Sequence, residues 1–286
     1  MLDPSWAWTR PLLWVAVAAL VAVLVIRSIR KDRREYQRFK RYRSTMRRQG
    51  MLRKWLLESF VQFGGLSAVL LLLAGFAVAP LLAELARWPG VSDLRRLLAA
   101  APEITGGVIV GVVLGLALLT LLGAREARKD KALVTVGDIG AMLPRNRQEL
   151  LLGGLLSINA GVVEELMFRL AVPALIFGAS GSAIAAVIFS VLLFGALHLY
   201  QGVAGVIGTT IIGAFMMLVY AVSGTIIIPM IVHAVFDLRS LVIIPMAVHG
   251  VQRIDGVEHP FAETSVPTPA PMPAAAEAGP PADIPH

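Results

Sequence analysis

The sequence predicts an all-α protein: a polytopic transmembrane helical bundle of about seven spans, with a disordered Pro-rich C-terminal tail. Three observations lead there. Of 286 residues, 57% are hydrophobic and 16% charged, with a mean hydropathy of +0.74, whereas soluble domains carry roughly 25% charged residues. The apolar residues gather into runs near the length that a helix needs to cross about 30 Å of hydrocarbon. The charge is also concentrated: within a formal net charge of +7, residues 27–54 hold 13 Lys/Arg against Asp32 and Glu35, and the remainder is net acidic. An ordinary water-soluble enzyme is excluded. The absence of cysteine excludes disulfides, thiol catalysis and Cys-based metal sites.

The first span runs from about Pro11 to Ile26, with Trp6, Trp8 and Trp14 placed for an interfacial belt. The basic segment 27–54 follows. A secretory signal would carry its positive charge before the apolar stretch, so this is an uncleaved anchor. Short Lys/Arg-rich loops stay in the cytoplasm, so the N-terminus is expected outside. The same segment reads as a topology determinant and a helical extension of the first span. A sharper reading makes it a polybasic surface for anionic lipid or a partner. Its apolar flanks speak against nucleic acid.

The second span covers about Phe60–Leu82 and the third Ile104–Gly123, where Gly107, Gly111 and Gly115 form a small-residue packing stripe. The external loop 83–103 holds only Arg87, Arg95 and Arg96, whereas 124–149, expected inside, is richer in basic residues. Four spans follow at about Leu150–Phe177, Ser182–Tyr200, Val203–Val222 and Thr225–Val248, leaving the C-terminus cytoplasmic. The setting expected is the bacterial cytoplasmic membrane. From Gly256 to His286 the chain has eight prolines and no Lys or Arg, a composition that stays disordered. The organisation read from this is an N-terminal membrane region (1–147), a four-span core (148–248) and a tail (249–286).

The last four spans contain Glu164, Glu165, Arg169, His198, His233 and Asp237 within apolar stretches. An Asp, Lys or Arg at a helix centre costs about 2.5–3.5 kcal/mol on insertion scales, so these groups should face inward and meet. Residues four apart share a helical face. Glu165 can pair with Arg169, His233 with Asp237, and Phe194 lies beside His198. Glu164, about 100° around from Glu165, can turn into a cavity. Chemically, a Glu could deprotonate water with help from a His. Two His and a Glu (His198, His233 and Glu164) could instead hold zinc. A proton relay in a transporter is the third option. The HExxH zinc signature is absent, and no span is visibly broken.

Glu164-Glu165-Leu-Met-Phe-Arg169, Phe194-Gly-Ala-Leu-His198 and His233-Ala-Val-Phe-Asp237 are EExxxR, FxxxH and HxxxD motifs on successive helices. In this order they resemble the CAAX-protease and bacteriocin-processing (CPBP, or abortive-infection) family of intramembrane proteases, over about residues 148–245. That family includes the endopeptidase that trims prenylated CAAX proteins. The resemblance implies hydrolysis of a peptide bond in a membrane-associated peptide or protein. Glu164 with His198 would activate water, His233 and Asp237 would stabilise the oxyanion or position the carbonyl, and Glu165 and Arg169 would support the site. Relatives carry Asn or Asp where this chain has Asp237; an ionised Asp cannot donate to an oxyanion, so orienting His233 is the role expected of it. The family's mechanism is either glutamate-dependent or metal-dependent, and the metal-free route is preferred here. A non-proteolytic membrane scaffold or immunity protein with the same fold is the competing reading.

Overall fold

The computed structural model describes residues 2–100 and 138–256, with 115, 118, 120, 122 and 125 between them. Among the described residues the regular structure is helical, with no strand. Helix α1 (Thr9–Arg27) passes through a π-helical turn at Ser28–Asp32 into α2 (Arg33–Phe39). The resulting 31-residue run is longer than the apolar stretch, because arginine and glutamate propagate a helix nearly as well as leucine. After a turn, Ser44 caps α3 (Thr45–Ser59) by accepting from the Arg47 N–H. A π turn leads into α4 (Gly65–Ala74), and a 3₁₀ turn into α5 (Val78–Leu85). The segment expected as an external loop holds a further helix, α6 (Pro89–Ala100), with proline at its first position.

The second half begins with α7 (Arg147–Glu165), which runs through a π turn (Leu166–Ala171) into α8 (Val172–Ser180) and stops at Gly181. Then come α9 (Ala183–Leu197), α10 (Gly202–Ser223), α11 (Ile227–Leu238) and, beyond another π turn, α12 (Ile244–His249). Among the described residues, four helical runs are long and apolar enough to cross a membrane: Thr9–Phe39, Thr45–Leu85, Leu199–Ser223 and Ile227–His249. These contain the expected first, second and sixth spans and nearly all of the seventh, which begins at Ile227 and not Thr225. The expected fourth is helical throughout but carries Glu164, Glu165 and Arg169, and the fifth is the shorter apolar helix α9. The expected third span lies outside the described residues, apart from isolated positions; so do Gly107 and Gly111 of its glycine stripe.

The N-terminal helices pack directly on the later ones. Leu13, Val17, Leu20 and Leu24 form one stripe of α1 and share a buried cluster with Val172, Ala174 and Leu175 of α8. Facing outward, Leu72, Ile184, Ile211 and Val203 are 66%, 62%, 65% and 74% exposed. So much exposed aliphatic surface suits lipid, not water. In lipid, helices gain little by hiding apolar surface from one another, so close packing and internal polar contacts must hold the bundle. One such contact is the Asn159 Nδ2 donating to Ser59 Oγ at 2.6 Å between α7 and α3.

The basic segment is structured, not an open loop. Arg48 is fully buried; its Nε and Nη2 grip both Glu149 oxygens at 3.0–3.1 Å, and Nη2 also donates to the Ala141 carbonyl at 3.0 Å. Its guanidinium lies 4.4 Å from the Phe39 ring centroid. Arg27, Lys31, Lys40 and Lys54 pair with Asp32, Glu58, Asp138 and Glu35. The first residues of the expected tail (249–286) are packed on the bundle. Val251 is buried, the Ile254 carbonyl accepts from the Arg147 N–H at 2.7 Å, and the Gly256 carbonyl from Gln49 Nε2 at 3.0 Å. Residues 250–256 are thus held against the start of α7 by backbone groups that composition does not reveal, while the remaining tail, 257–286, lies outside the described residues.

Candidate active site

The site is built where α7, its π turn, α9 and α11 meet. Asn146 Oδ1 accepts from the Glu149 N–H at 2.9 Å and starts α7. Twenty residues on from Asn146, the helix loosens at Leu166–Ala171. Pro173 has no N–H to return to the carbonyl four residues earlier, and a π turn re-aims side chains, as such turns often do at functional positions. Ser190 of α9 donates to the Phe168 carbonyl at 2.5 Å within this turn.

Glycine sets the distance between α7 and α11. A Cβ at Gly161 would sit 2.8 Å from the Ala234 nitrogen and 2.9 Å from the Met230 carbonyl oxygen. Only a residue without a side chain lets the two backbones approach this closely. Gly161 lies one turn before Glu165, and Ala234 adjoins His233, so this contact brings the EExxxR and HxxxD motifs together.

Glu165 is completely buried and has two partners. Its Oε2 lies 2.9 Å from Arg169 Nε, the ion pair expected along the helix, and its Oε1 lies 2.6 Å from His233 Nδ1. The second contact corrects the expected orientation of His233 by Asp237. Asp237 Oδ2 is 3.8 Å away, at the other ring nitrogen, Nε2. A carboxylate from α7 reaches the ring directly, whereas the one a turn along α11 stays more open, 38% exposed at its side chain. Because a carboxylate only accepts, Nδ1 of His233 carries the proton in this contact.

Glu164 differs from its neighbour. Its side chain retains 18% exposure, and its Oε2 lies 4.0 Å from His233 Nε2. His198 caps the end of α9, where Nδ1 donates to the Phe194 carbonyl at 2.8 Å. In the neutral ring this leaves Nε2 with a free lone pair. Phe194 ties the parts together: its ring centroid is 4.8 Å from that of His198, 6.3 Å from that of His233, and 4.9 Å from the Arg169 guanidinium. A Cβ at Gly213 would meet Phe194 Cδ1 at 2.8 Å, so α10 makes room for this ring.

All seven residues singled out in the sequence therefore belong to one connected cluster. Sequence reasoning missed Gly161 and Gly213, which carry no chemical group, and Ser190 and Phe168, which are ordinary in apolar helices. A proline shortly after EExxxR was the available signal for the π turn. Among the described residues, no three His, Asp or Glu side chains gather so as to hold a metal ion. As packed, Glu164, His198 and His233 do not form a ligand set.

Residues 146–239 match the family model described as Rce1-like, type II CAAX prenyl endopeptidase Rce1-like. The match contains all three motifs and supports the CAAX-protease and bacteriocin-processing family that they resemble, and in general a CAAX-type intramembrane protease. No curated protein and no solved structure matches the chain.

Proposed function

We propose that the protein is an intramembrane endopeptidase that hydrolyses a peptide bond of a membrane-associated or lipidated peptide or protein, using Glu164 and His198 to activate water. The observation that carries this reading is the difference between adjacent carboxylates. Glu165 is sealed in and committed to Arg169 and His233, whereas Glu164 is partly open and reaches only to 4.0 Å from His233 Nε2.

In this reading Glu164 accepts a proton from water as the water oxygen bonds to the carbonyl carbon, with the free Nε2 of His198 orienting that water. Negative charge develops on the carbonyl oxygen. His233, held at Nδ1 by Glu165, donates to that oxygen from a protonated Nε2, which faces the open side of the site. Collapse breaks the carbon–nitrogen bond, and the proton on Glu164 passes to the departing amine. Arg169 balances Glu165, Phe194 fixes the His198 ring, and Asp237 lines the mouth of the site. In this reading no step is routed through a metal. The basic segment lies at the end of the bundle near His198, which suits a cytoplasmic mouth and an external N-terminus.

The test compares membrane peptides in cells making the wild type, Glu164→Gln or His198→Ala. Fragments present only with the wild type are expected; identical fragments from all three would overturn the assignment. With a cleaved peptide in hand, a chelator should leave the rate unchanged. Loss of activity together with stoichiometric zinc would overturn the metal-free step.

A further inference from the structure

A second candidate site lies at the far end of α10 from the protease cluster, where α5, α6 and the C-terminus of α10 meet. A groove of about 580 Å³ opens there. Its walls are apolar, formed by Ala79, Leu82 and Ala83 of α5 and Val222 of α10, and its one charged lining residue is Arg95 of α6.

Arg95 is fixed before any ligand arrives. Its Nε donates to the Ala221 and Val222 carbonyls at 3.1 Å each, capping the last turn of α10. The guanidinium rests against the turn at Gly224, where φ is +71° and a Cβ would meet Nη2 at 2.9 Å. Among the described residues, Arg95 makes no ion pair, and neither Nη has a hydrogen-bond partner. A half-buried, immobilised fork of donors therefore faces an apolar groove.

Depth indicates the occupant. Helix α10 has 22 residues, or roughly 33 Å at about 1.5 Å per residue, so its two ends fall near the two membrane surfaces. Arg95 sits at one of these ends. The arginine-rich segment lies at the other, because Tyr36 packs edge-on against Tyr200, just before α10 begins. Trp88 directly precedes α6 and is partly buried against the core, and tryptophan is enriched at membrane–water interfaces. A groove whose cation lies at headgroup level, with its alanine wall running along α5, matches an amphiphile with an anionic head. Free phosphate would leave the apolar wall unused.

We propose that this groove holds one glycerophospholipid of net negative charge, its phosphate on the Nη groups of Arg95 and an acyl chain along α5. Arginine engages phosphate through two parallel N–H donors, and a fork already anchored through Nε loses little freedom on binding. The site is independent of the protease reading, since none of its residues belongs to that cluster.

Native mass spectrometry of the full chain in detergent tests this, with dioleoyl phosphatidylglycerol titrated in. One lipid per chain should be retained. Arg95→Gln should weaken retention about tenfold or more. Ala83→Trp, which fills the groove and leaves Arg95 untouched, should weaken it as well, and decides the matter alone if Arg95→Gln fails to fold. Inorganic phosphate should not compete. Absence of a retained lipid, equal retention by wild type and Ala83→Trp, equal retention of phosphatidylcholine, or displacement by phosphate would each overturn the proposal.

Discussion

Glu165 Oε1 lies 2.6 Å from His233 Nδ1 across 68 residues of sequence, and this contact joins the EExxxR and HxxxD motifs into one buried chain, Arg169–Glu165–His233. Two consecutive glutamates thereby take different environments on one helix. Their substitutions should separate cleanly.

Glu164→Gln keeps the shape of a partly open side chain and removes only the base. Cleavage should fall at least about 100-fold, within the range of general-base effects, while thermal stability stays near the wild type. Glu165→Gln leaves a buried arginine without its counter-charge, and breaking such a pair costs about 3–5 kcal/mol. A melting curve in detergent, read beside a cleavage assay, checks both. Equal stability loss in the two variants would contradict the assignment.

Asp237→Asn should be mild. Glu165 holds His233 at Nδ1, and Asp237 stands 3.8 Å off at Nε2, so the imidazole keeps its anchor when the charge at 237 is removed. The expected loss in kcat is less than about tenfold, under the usual worth of a general acid or base. A loss as large as that of Glu164→Gln would make Asp237 a direct participant.

Gly161→Ala adds one methyl group against the backbone of α11, 2.8 Å from the nearest atom. Overpacking of this kind costs about 1–3 kcal/mol, and the shift should also lower cleavage by moving Glu165 off His233. Gly154→Ala is the control on the same helix, because its Cβ would meet only side-chain carbons at ordinary contact distance, Val242 Cγ2 at 3.6 Å and Leu238 Cδ2 at 3.9 Å. Paired melting and activity measurements distinguish them.

Arg48→Ala should destabilise by about 3–5 kcal/mol, since it strands the buried Glu149 at the start of α7. The exposed neighbour Arg47→Ala should stay within about 0.5 kcal/mol. Chemical denaturation in mixed micelles reads the difference. Similar small effects at both positions would return the segment to a purely topological role.

The apolar runs, the concentrated basic charge and the three motifs determined by themselves that the chain is a helical membrane protein with one ionisable cluster. Hydropathy has a local cause, the cost of exposing polar groups to lipid, so composition along the chain suffices to read it. Spacing of four likewise shows which side chains share a helix face, and the Glu165–Arg169 pair follows. It cannot show which face meets which. That His233 answers to Glu165 and not to Asp237 depends on α7 and α11 touching at Gly161, a residue whose contribution is an absent side chain. The same holds for Arg48, one of 13 basic residues in its segment, buried because Glu149 and the Ala141 and Leu143 carbonyls happen to surround it. The inventory of charges and the order of helices are local properties of the chain; tertiary structure decided the pairing, because pairing is set by contacts between segments far apart in the chain.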